Sequence, residues 1–281
     1  MTATLHANLD FILLVYGLGL VLLAFTLLGL RSTITSPLPW KWLGVSAALL
    51  GASAWAEMVA LSVRDSADVD AVRTVLFVAG CACVLEFART CWAAVGGARV
   101  GRWIIVVLVA VAALGGLAGM RGWDATAGYL LGLPGGLWGA AGLWRYRRAG
   151  GRHARPLQVA AVAMGLFVVV ACGVTLRSSI PPAVWISQES FQRVFGFPIQ
   201  LLCMALALPF VAGLWLHYRG VLREEHPGLV DRRGTLWEIV MLASIITILV
   251  AGLYATTVVG HRWDTNARAT LLGRTALAAA A

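Results

Sequence analysis

The sequence predicts an all-α, polytopic membrane protein, a bundle of about eight transmembrane helices. Sixty per cent of the residues are hydrophobic and only 12% are charged. Apolar stretches of roughly twenty residues, the length of helix that crosses a bilayer, recur along the chain. They lack the polar stripe of a soluble helix and the alternation of a membrane strand. Lipid-exposed backbone must satisfy its own hydrogen bonds, so continuous apolar runs of this kind indicate helices.

The positions of these stretches define the predicted spans. The spans cover residues 10–30, 42–63, 74–95, 103–120, 126–144, 157–176, 198–217 and 236–259. The fourth and fifth should form a hairpin, because only the polar group Arg121–Asp124 separates them. Residues 1–260 then form the bundle. Residues 261–281 follow as an extracytoplasmic helical tail, or as the start of a truncated linker, because the helical pattern stops there without a Gly or Asn cap.

The orientation follows from the basic residues, since short cytoplasmic loops are enriched in Arg and Lys. One set of alternate loops carries thirteen of them: Arg31, Lys41, Arg99, Arg102, Arg145, Arg147, Arg148, Arg152, Arg155, Arg219, Arg223, Arg232 and Arg233. The other set carries five: Arg64, Arg73, Arg121, Arg177 and Arg193. With an even number of spans, both termini are predicted to lie outside the cytoplasm of a bacterial inner membrane. The first span lacks a basic flank and is too long for a signal peptide, so it should be retained.

The chain offers little for catalysis or for cofactors. The net charge of +9 is explained by the cytoplasmic loops, and no nucleic-acid-binding pattern accompanies it. No P-loop, nucleophile elbow or zinc-protease motif is present, so no catalytic residue and no metal site are predicted. We expect no haem, because the histidines have no facing partner at one depth. The five cysteines lie within spans without a C-x-x-C pair, which is typical of packing residues.

Three ionisable residues within the spans are the candidates for a polar core. Each is expensive to place in lipid and needs a partner or a wet cavity. Glu86 and Arg89 are three residues apart on the third span, so they should form an ion pair on one helix face. Glu57 on the second span has no partner on its own helix. It should differ from Glu86 in depth by about 8 Å, too far for a direct carboxylate pair. It should be protonated, hydrogen-bonded to another helix or facing a ligand cavity, and it is more available than Glu86 to a ligand or a proton.

Two further features bear on packing. Gly128, Gly132 and Gly136 recur at four-residue spacing around Pro134, a pattern that favours close approach of helices and frees backbone groups at the proline. The longest outer loop, between the sixth and seventh spans, mixes aromatic and polar residues over 185–195. That mixture suits a short helix on the membrane surface, which either covers an outward-facing pocket or serves as a plain connector.

The second and third spans read GASAWAEMVALS and VLEFART, joined by the acidic loop RDSADVDAVR. This region resembles the N-terminal multi-spanning sensor region that precedes PAS, histidine-kinase or diguanylate-cyclase modules in bacterial signalling proteins. The family pattern E-W-x-D on the second span and L-E-F-x-R on the third is matched by Trp55, Glu57, Glu86, Phe87 and Arg89, while Ala54 stands where the first acid is usual. The resemblance covers mainly residues 45–90.

The resemblance implies a sensory, signal-transducing membrane domain without catalytic activity of its own. A kinase or cyclase module would lie beyond Ala281. The ligand-binding or polar-core residues of the sensory domain would be Glu57, Glu86, Arg89 and Trp55. The lipid bilayer is the predicted surrounding, and a small-molecule ligand and a second copy of the chain stay open as partners. A small-molecule transporter and an accessory subunit of a larger membrane complex are the other functions considered.

Overall fold

The computed structural model describes residues 9–33, 38–62, 67–149, 155–176 and 178–225. These residues are helical apart from short connections and one isolated bridge between Thr175 and Ser187. We number the α-helices in chain order. They are α1 Leu9–Thr33, α2 Trp40–Ser62, α3 Ala67–Ala94, α4 Trp103–Leu114, α5 Met120–Ala127, α6 Leu133–Ala149, α7 Arg155–Gly173, α8 Gln188–Phe195 and α9 Ile199–Glu225. The all-α prediction is confirmed for this part of the chain.

Five of the described helices are long and apolar enough to cross a membrane. They are Leu9–Leu28, Trp40–Ala60, Ala67–Ala94, Arg155–Gly173 and Ile199–Val221. The predicted fourth span is a shorter apolar helix, Trp103–Ala118, and the predicted fifth is divided among α5, a π-helical turn and α6. The eighth span, 236–259, and the tail, 261–281, lie outside the described residues. A membrane protein is therefore supported, whereas the count of about eight spans is not confirmed.

Six helices pack as a closed ring. Following the contacts, α1 packs on α2, α2 on α3, α3 on α6, α6 on α7, α7 on α9, and α9 returns to α1. The helices α4 and α5 lie outside this ring against α3 and the π turn. Large apolar side chains on the outer surface, such as Phe25, Val106 and Leu208, are more than half exposed, which suits contact with lipid chains.

The hairpin between α4 and α5 turns at a different place from the one predicted. The chain leaves α4 through a short 3₁₀ helix, Gly115–Ala118, and reverses at Gly119, whose φ of 82° favours glycine. The polar group Arg121–Asp124 is not the loop. It forms the first turns of α5, and Asp124 within it is buried. The hydropathy pattern predicts a connection here because it contains no information about an ion-pair partner on another helix.

The glycine-rich stretch packs closely, as its spacing predicts. A Cβ added at Gly136 would lie 2.2 Å from Val168 on α7, and one at Gly135 would lie 3.0 Å from the backbone of Leu85 on α3. The helix α6 is thus wedged between its two neighbours. Before it, residues Gly128–Gly132 form a π turn in which the amide of Leu133 donates to the carbonyl of Gly128. Pro134, which has no N–H to donate, accounts for this local rearrangement.

A short helix is present in the predicted outer loop. Ser187 caps α8 by accepting from the amide of Ser190, whose hydroxyl in turn accepts from the amide of Ser187. Gly196, in the left-handed region, ends the helix. The amide of Gln188 also donates to the carbonyl of Thr175 at 3.0 Å, which ties the start of α8 to the end of α7. This contact holds α8 close to the cavity described below.

Candidate functional site

A cavity of about 140 Å³ lies inside the helical ring. Its wall is built by α1, α2, α3, α7 and α9, with Gly132 of the π turn and Gln188 of α8. Most of the wall is aliphatic or aromatic, and the polar exceptions, apart from three cysteines, are Tyr16, Ser46, Ser53, Glu57, Gln188 and Gln200. An apolar cavity with a few polar groups is the usual form of a small-molecule site. Its volume is close to that of the engineered cavity of about 150 Å³ that binds benzene.

Two of these polar groups are engaged within the bundle. The hydroxyl of Ser46 donates to the carbonyl of Gly80 at 2.9 Å, and that of Ser53 donates to the carbonyl of Arg73 at 3.1 Å. Both bonds run from α2 to α3 and hold these helices together. The serines therefore offer oxygen lone pairs to the cavity, while their protons are already used.

Glu57 is the one carboxylate that the described residues contribute to the cavity wall. It forms no hydrogen bond or ion pair with any residue that the structure describes, and its charged neighbours are Arg73, Asp70 and Asp124. This placement agrees with the expectation that Glu57 faces a ligand space. Whether it binds a ligand stays a prediction.

A buried ion pair next to Glu57 was not predicted from the sequence. The guanidinium of Arg73 on α3 donates from Nη2 to Oδ2 of Asp124 on α5, and the two side chains are only 8% and 6% exposed. The same nitrogen lies 3.4 Å from the hydroxyl of Thr74, and Nε lies 3.8 Å from Asp70. The sequence pattern predicts Arg73 in a loop and Asp124 in a connection. Both assignments were wrong, because α3 begins at Ala67 and α5 at Met120.

Two buried polar atoms at or beside this pair have no hydrogen-bond partner among the described residues. Oδ1 of Asp124 and the indole N–H of Trp123 are buried and make no hydrogen bond within the described part of the chain. Burying an unsatisfied polar group costs about 1–3 kcal/mol. The carboxyl groups of Asp70, Asp124 and Glu57 all lie around the guanidinium of Arg73.

Glu86 and Arg89 form the ion pair that their spacing predicts. Arg89 donates from Nε and Nη2 to the two oxygens of Glu86 at 2.7 and 2.8 Å, and from Nη1 to the carbonyl of Val100 at 2.8 Å. Arg102, which was not predicted to take part, donates to Glu86 at 3.2 Å from a side chain that is 73% exposed. These contacts fix α3 to the loop that leads into α4. Neither Glu86 nor Arg89 lines the cavity.

We expect the Glu86–Arg89 pair to show thermodynamic coupling. Glu86→Gln and Arg89→Met should each lower the stability of the detergent-solubilised protein, and together they should lower it by less than the sum. The coupling should be about 0.5–3 kcal/mol. Glu86→Gln should be the more damaging, because after Arg89→Met the carboxylate still has Arg102. Unfolding followed by tryptophan fluorescence measures all four proteins. Additive losses of stability would mean that the two side chains do not interact in the folded protein.

Trp55 connects α2 to α1. Its indole N–H donates to the carbonyl of Leu14 on α1 at 3.2 Å, and Trp55 is not part of the cavity wall. Gly17 makes room for the ring, since a Cβ there would lie 2.5 Å from it. The four residues predicted as one site are thus distributed: Glu57 at the cavity, Trp55 between α1 and α2, and Glu86 with Arg89 near the end of α3.

Three of the five cysteines, Cys81, Cys172 and Cys203, line the cavity. The sulfurs of Cys81 and Cys172 both lie close to Gly132, 3.1 and 2.5 Å from the position that a Cβ would take there. No group of three or more His, Cys, Asp or Glu in the described ranges is arranged to hold a metal ion. The thiols therefore contribute to packing and give the wall chemically addressable positions.

Comparison with known proteins identifies no relative of this chain. No protein-family model, no curated protein and no solved structure matches the chain. Any function must accordingly be argued from the cavity, the charged residues around it and the topology of the bundle.

Proposed function

We propose that this chain is the membrane-embedded sensory domain of a bacterial signalling protein, which binds a small molecule inside its helical ring. The observation that carries the proposal is the cavity, whose wall combines residues from five helices with Glu57 and with Gln188 of α8. A ligand at such a junction contacts several helices at once. It can therefore favour one packing of the bundle over another, which is the physical requirement for a signal.

The resemblance of residues 45–90 to sensor regions supports the same proposal. We further propose that the domain lies in the inner membrane with both termini outside the cytoplasm, because basic residues are concentrated in one set of loops. The outer end of the bundle is then the end that carries Arg73, Asp124 and α8. A ligand would enter from the periplasmic side, and α8 would cover the entrance.

A transporter is the second candidate, since a cavity with a carboxylate also suits a transported substrate. Alternating access requires that the cavity open to both faces of the membrane. Access from one face is what a sensor needs. The two functions therefore differ in which compartments can reach the cavity wall.

The native cavity cysteines allow a direct test of access. The two other cysteines, Cys83 and Cys91, are replaced by alanine so that only Cys81, Cys172 and Cys203 remain. A membrane-impermeant thiosulfonate is then applied to spheroplasts and, separately, to inverted vesicles. We expect labelling from the periplasmic side only. Labelling from both sides would favour the transporter, and labelling from the cytoplasmic side alone would overturn the proposed orientation.

Binding itself is tested in nanodiscs with benzyl alcohol, a neutral probe of suitable size. It should stabilise the wild-type protein in a saturable manner. Ala54→Leu, which fills the cavity, should abolish this stabilisation. The control, Ala205→Leu, adds the same atoms on an exposed face of α9 and should leave the stabilisation unchanged. Equal responses of the two variants would show that the probe acts on the lipid, and would remove the argument for a ligand site.

A further inference from the structure

The charges around the cavity indicate which ligands it suits. Among the residues that the structure describes, no Lys, Arg or His side chain contributes to its wall, and Glu57 is the one carboxylate there. The nearest guanidinium, that of Arg73, is engaged by Asp124, with Asp70 at 3.8 Å. Glu57 is thus a carboxylate whose neighbouring cation is already in use. An anionic ligand would meet a carboxylate with no free cation beside it among the described residues.

Several polar groups of the wall can accept hydrogen bonds from a ligand. The hydroxyl protons of Ser46 and Ser53 are donated to backbone carbonyls, so these residues can only accept from a ligand. The amide of Gln200 donates to Gln188 at 3.4 Å. An ionised carboxylate is an acceptor only. These groups offer acceptors to a ligand, beside the donors of the Tyr16 hydroxyl and the Gln188 side-chain amide in the same wall.

Aromatic rings complete the surroundings. Tyr16 and Phe77 line the same cavity as Glu57, and Tyr16 lies close enough to Glu57 for the two groups to interact electrostatically. The face of an aromatic ring attracts a cation, and the combination of rings with a carboxylate is well suited to an ammonium group. The remaining wall is apolar and favours a hydrocarbon body.

We propose that the cavity binds a small organic amine in its ammonium form, with the nitrogen at Glu57 and the apolar part among the aliphatic side chains of α1, α7 and α9. This proposal rests on the proposed function, because it names the ligand class of that same cavity. The ammonium group donates to the acceptors of the wall and gives Glu57 a cation of its own.

Three probes that share one skeleton test the proposal: benzylamine, benzyl alcohol and benzoate. Each is titrated into the full chain in nanodiscs at neutral pH, where benzylamine is protonated, and binding is measured as thermal stabilisation. We expect benzylamine to bind at least about tenfold more tightly than benzyl alcohol, the ratio that one hydrogen bond to a charged group provides. Benzoate should not bind.

Glu57→Gln should remove the preference for benzylamine, bringing its affinity to within about threefold of that of benzyl alcohol. Glu189→Gln, the same substitution at an exposed position of α8, should preserve the preference. If Glu57→Gln does not fold, the three probes on the wild-type protein still decide the matter. Equal affinities for the amine and the alcohol would overturn the amine proposal and leave the ligand cavity standing. Binding of none of the three would overturn both.

Discussion

Arg73→Met should destabilise the bundle by about 3–5 kcal/mol, the loss expected when one member of a buried ion pair is removed. The side chain of Arg73 is only 8% exposed, and it faces Asp124, which is 6% exposed. Without the guanidinium, Asp124 is left as an unpaired buried carboxylate, and Glu57 loses its one neighbouring cation among the described residues. Unfolding in detergent, followed by tryptophan fluorescence, measures the loss.

The partner and control variants make this prediction specific. Asp124→Asn should cost less than Arg73→Met, because Arg73 keeps Asp70 at 3.8 Å. The double variant should lose less than the sum of the two, with a coupling of about 0.5–3 kcal/mol. Arg121→Met removes the same charge from an exposed position on α5 and should change stability by less than about 1 kcal/mol. Similar losses from Arg73→Met and Arg121→Met would contradict the buried pair.

The second large effect is expected where α1 crosses α2. Gly17 and Gly51 face each other so closely that a Cβ at Gly51 would lie 2.7 Å from the carbonyl oxygen of Gly17. A Cβ at Gly17 would in turn lie 2.9 Å from the carbonyl oxygen of Gly51 and 2.5 Å from the ring of Trp55. Backbone atoms cannot move aside without separating the helices. Gly17→Ala and Gly51→Ala should each destabilise the protein by about 1–3 kcal/mol, the usual result of overpacking.

Gly19 provides the matched control on the same helix. A Cβ at Gly19 would meet nothing within 4 Å, so Gly19→Ala should leave stability unchanged or raise it slightly, because alanine is the better helix former. All three variants are compared by thermal unfolding in the same detergent. If Gly19→Ala proved as harmful as Gly17→Ala, the two helices would not cross at these glycines.

Local patterns account for the parts of the fold and site that the sequence predicted correctly. Apolar runs of membrane length identify helices because transfer of a segment into lipid depends on the segment itself. The Glu86–Arg89 pair is similarly local, since residues three apart on a helix lie on one face. The close packing around Gly132 and Gly136 follows from small residues that recur every helical turn.

Arg73 and Asp124 show where local patterns fail. The two residues are 51 positions apart, and each lies near the end of an apolar run, where a charged side chain is normally wetted. The hydropathy pattern, which begins the third span at residue 74, therefore predicts a loop position for Arg73. The pairing that buries both charges depends on how α3 and α5 pack against each other. It cannot be inferred from the spacing of residues within either helix. The turn at Gly119 was misplaced for the same reason.

The amino-acid sequence alone determined that this chain forms apolar helices of membrane length and that Glu57 has no ionic partner on its own helix, because both follow from the local pattern of residues. The closing of six helices into a ring was decided by tertiary packing. So were the cavity inside the ring, the separation of Glu57 from Glu86 and Arg89, and the capture of Arg73 by Asp124. These features arise from contacts between helices, whose energies depend on which surfaces meet and are absent from any single segment.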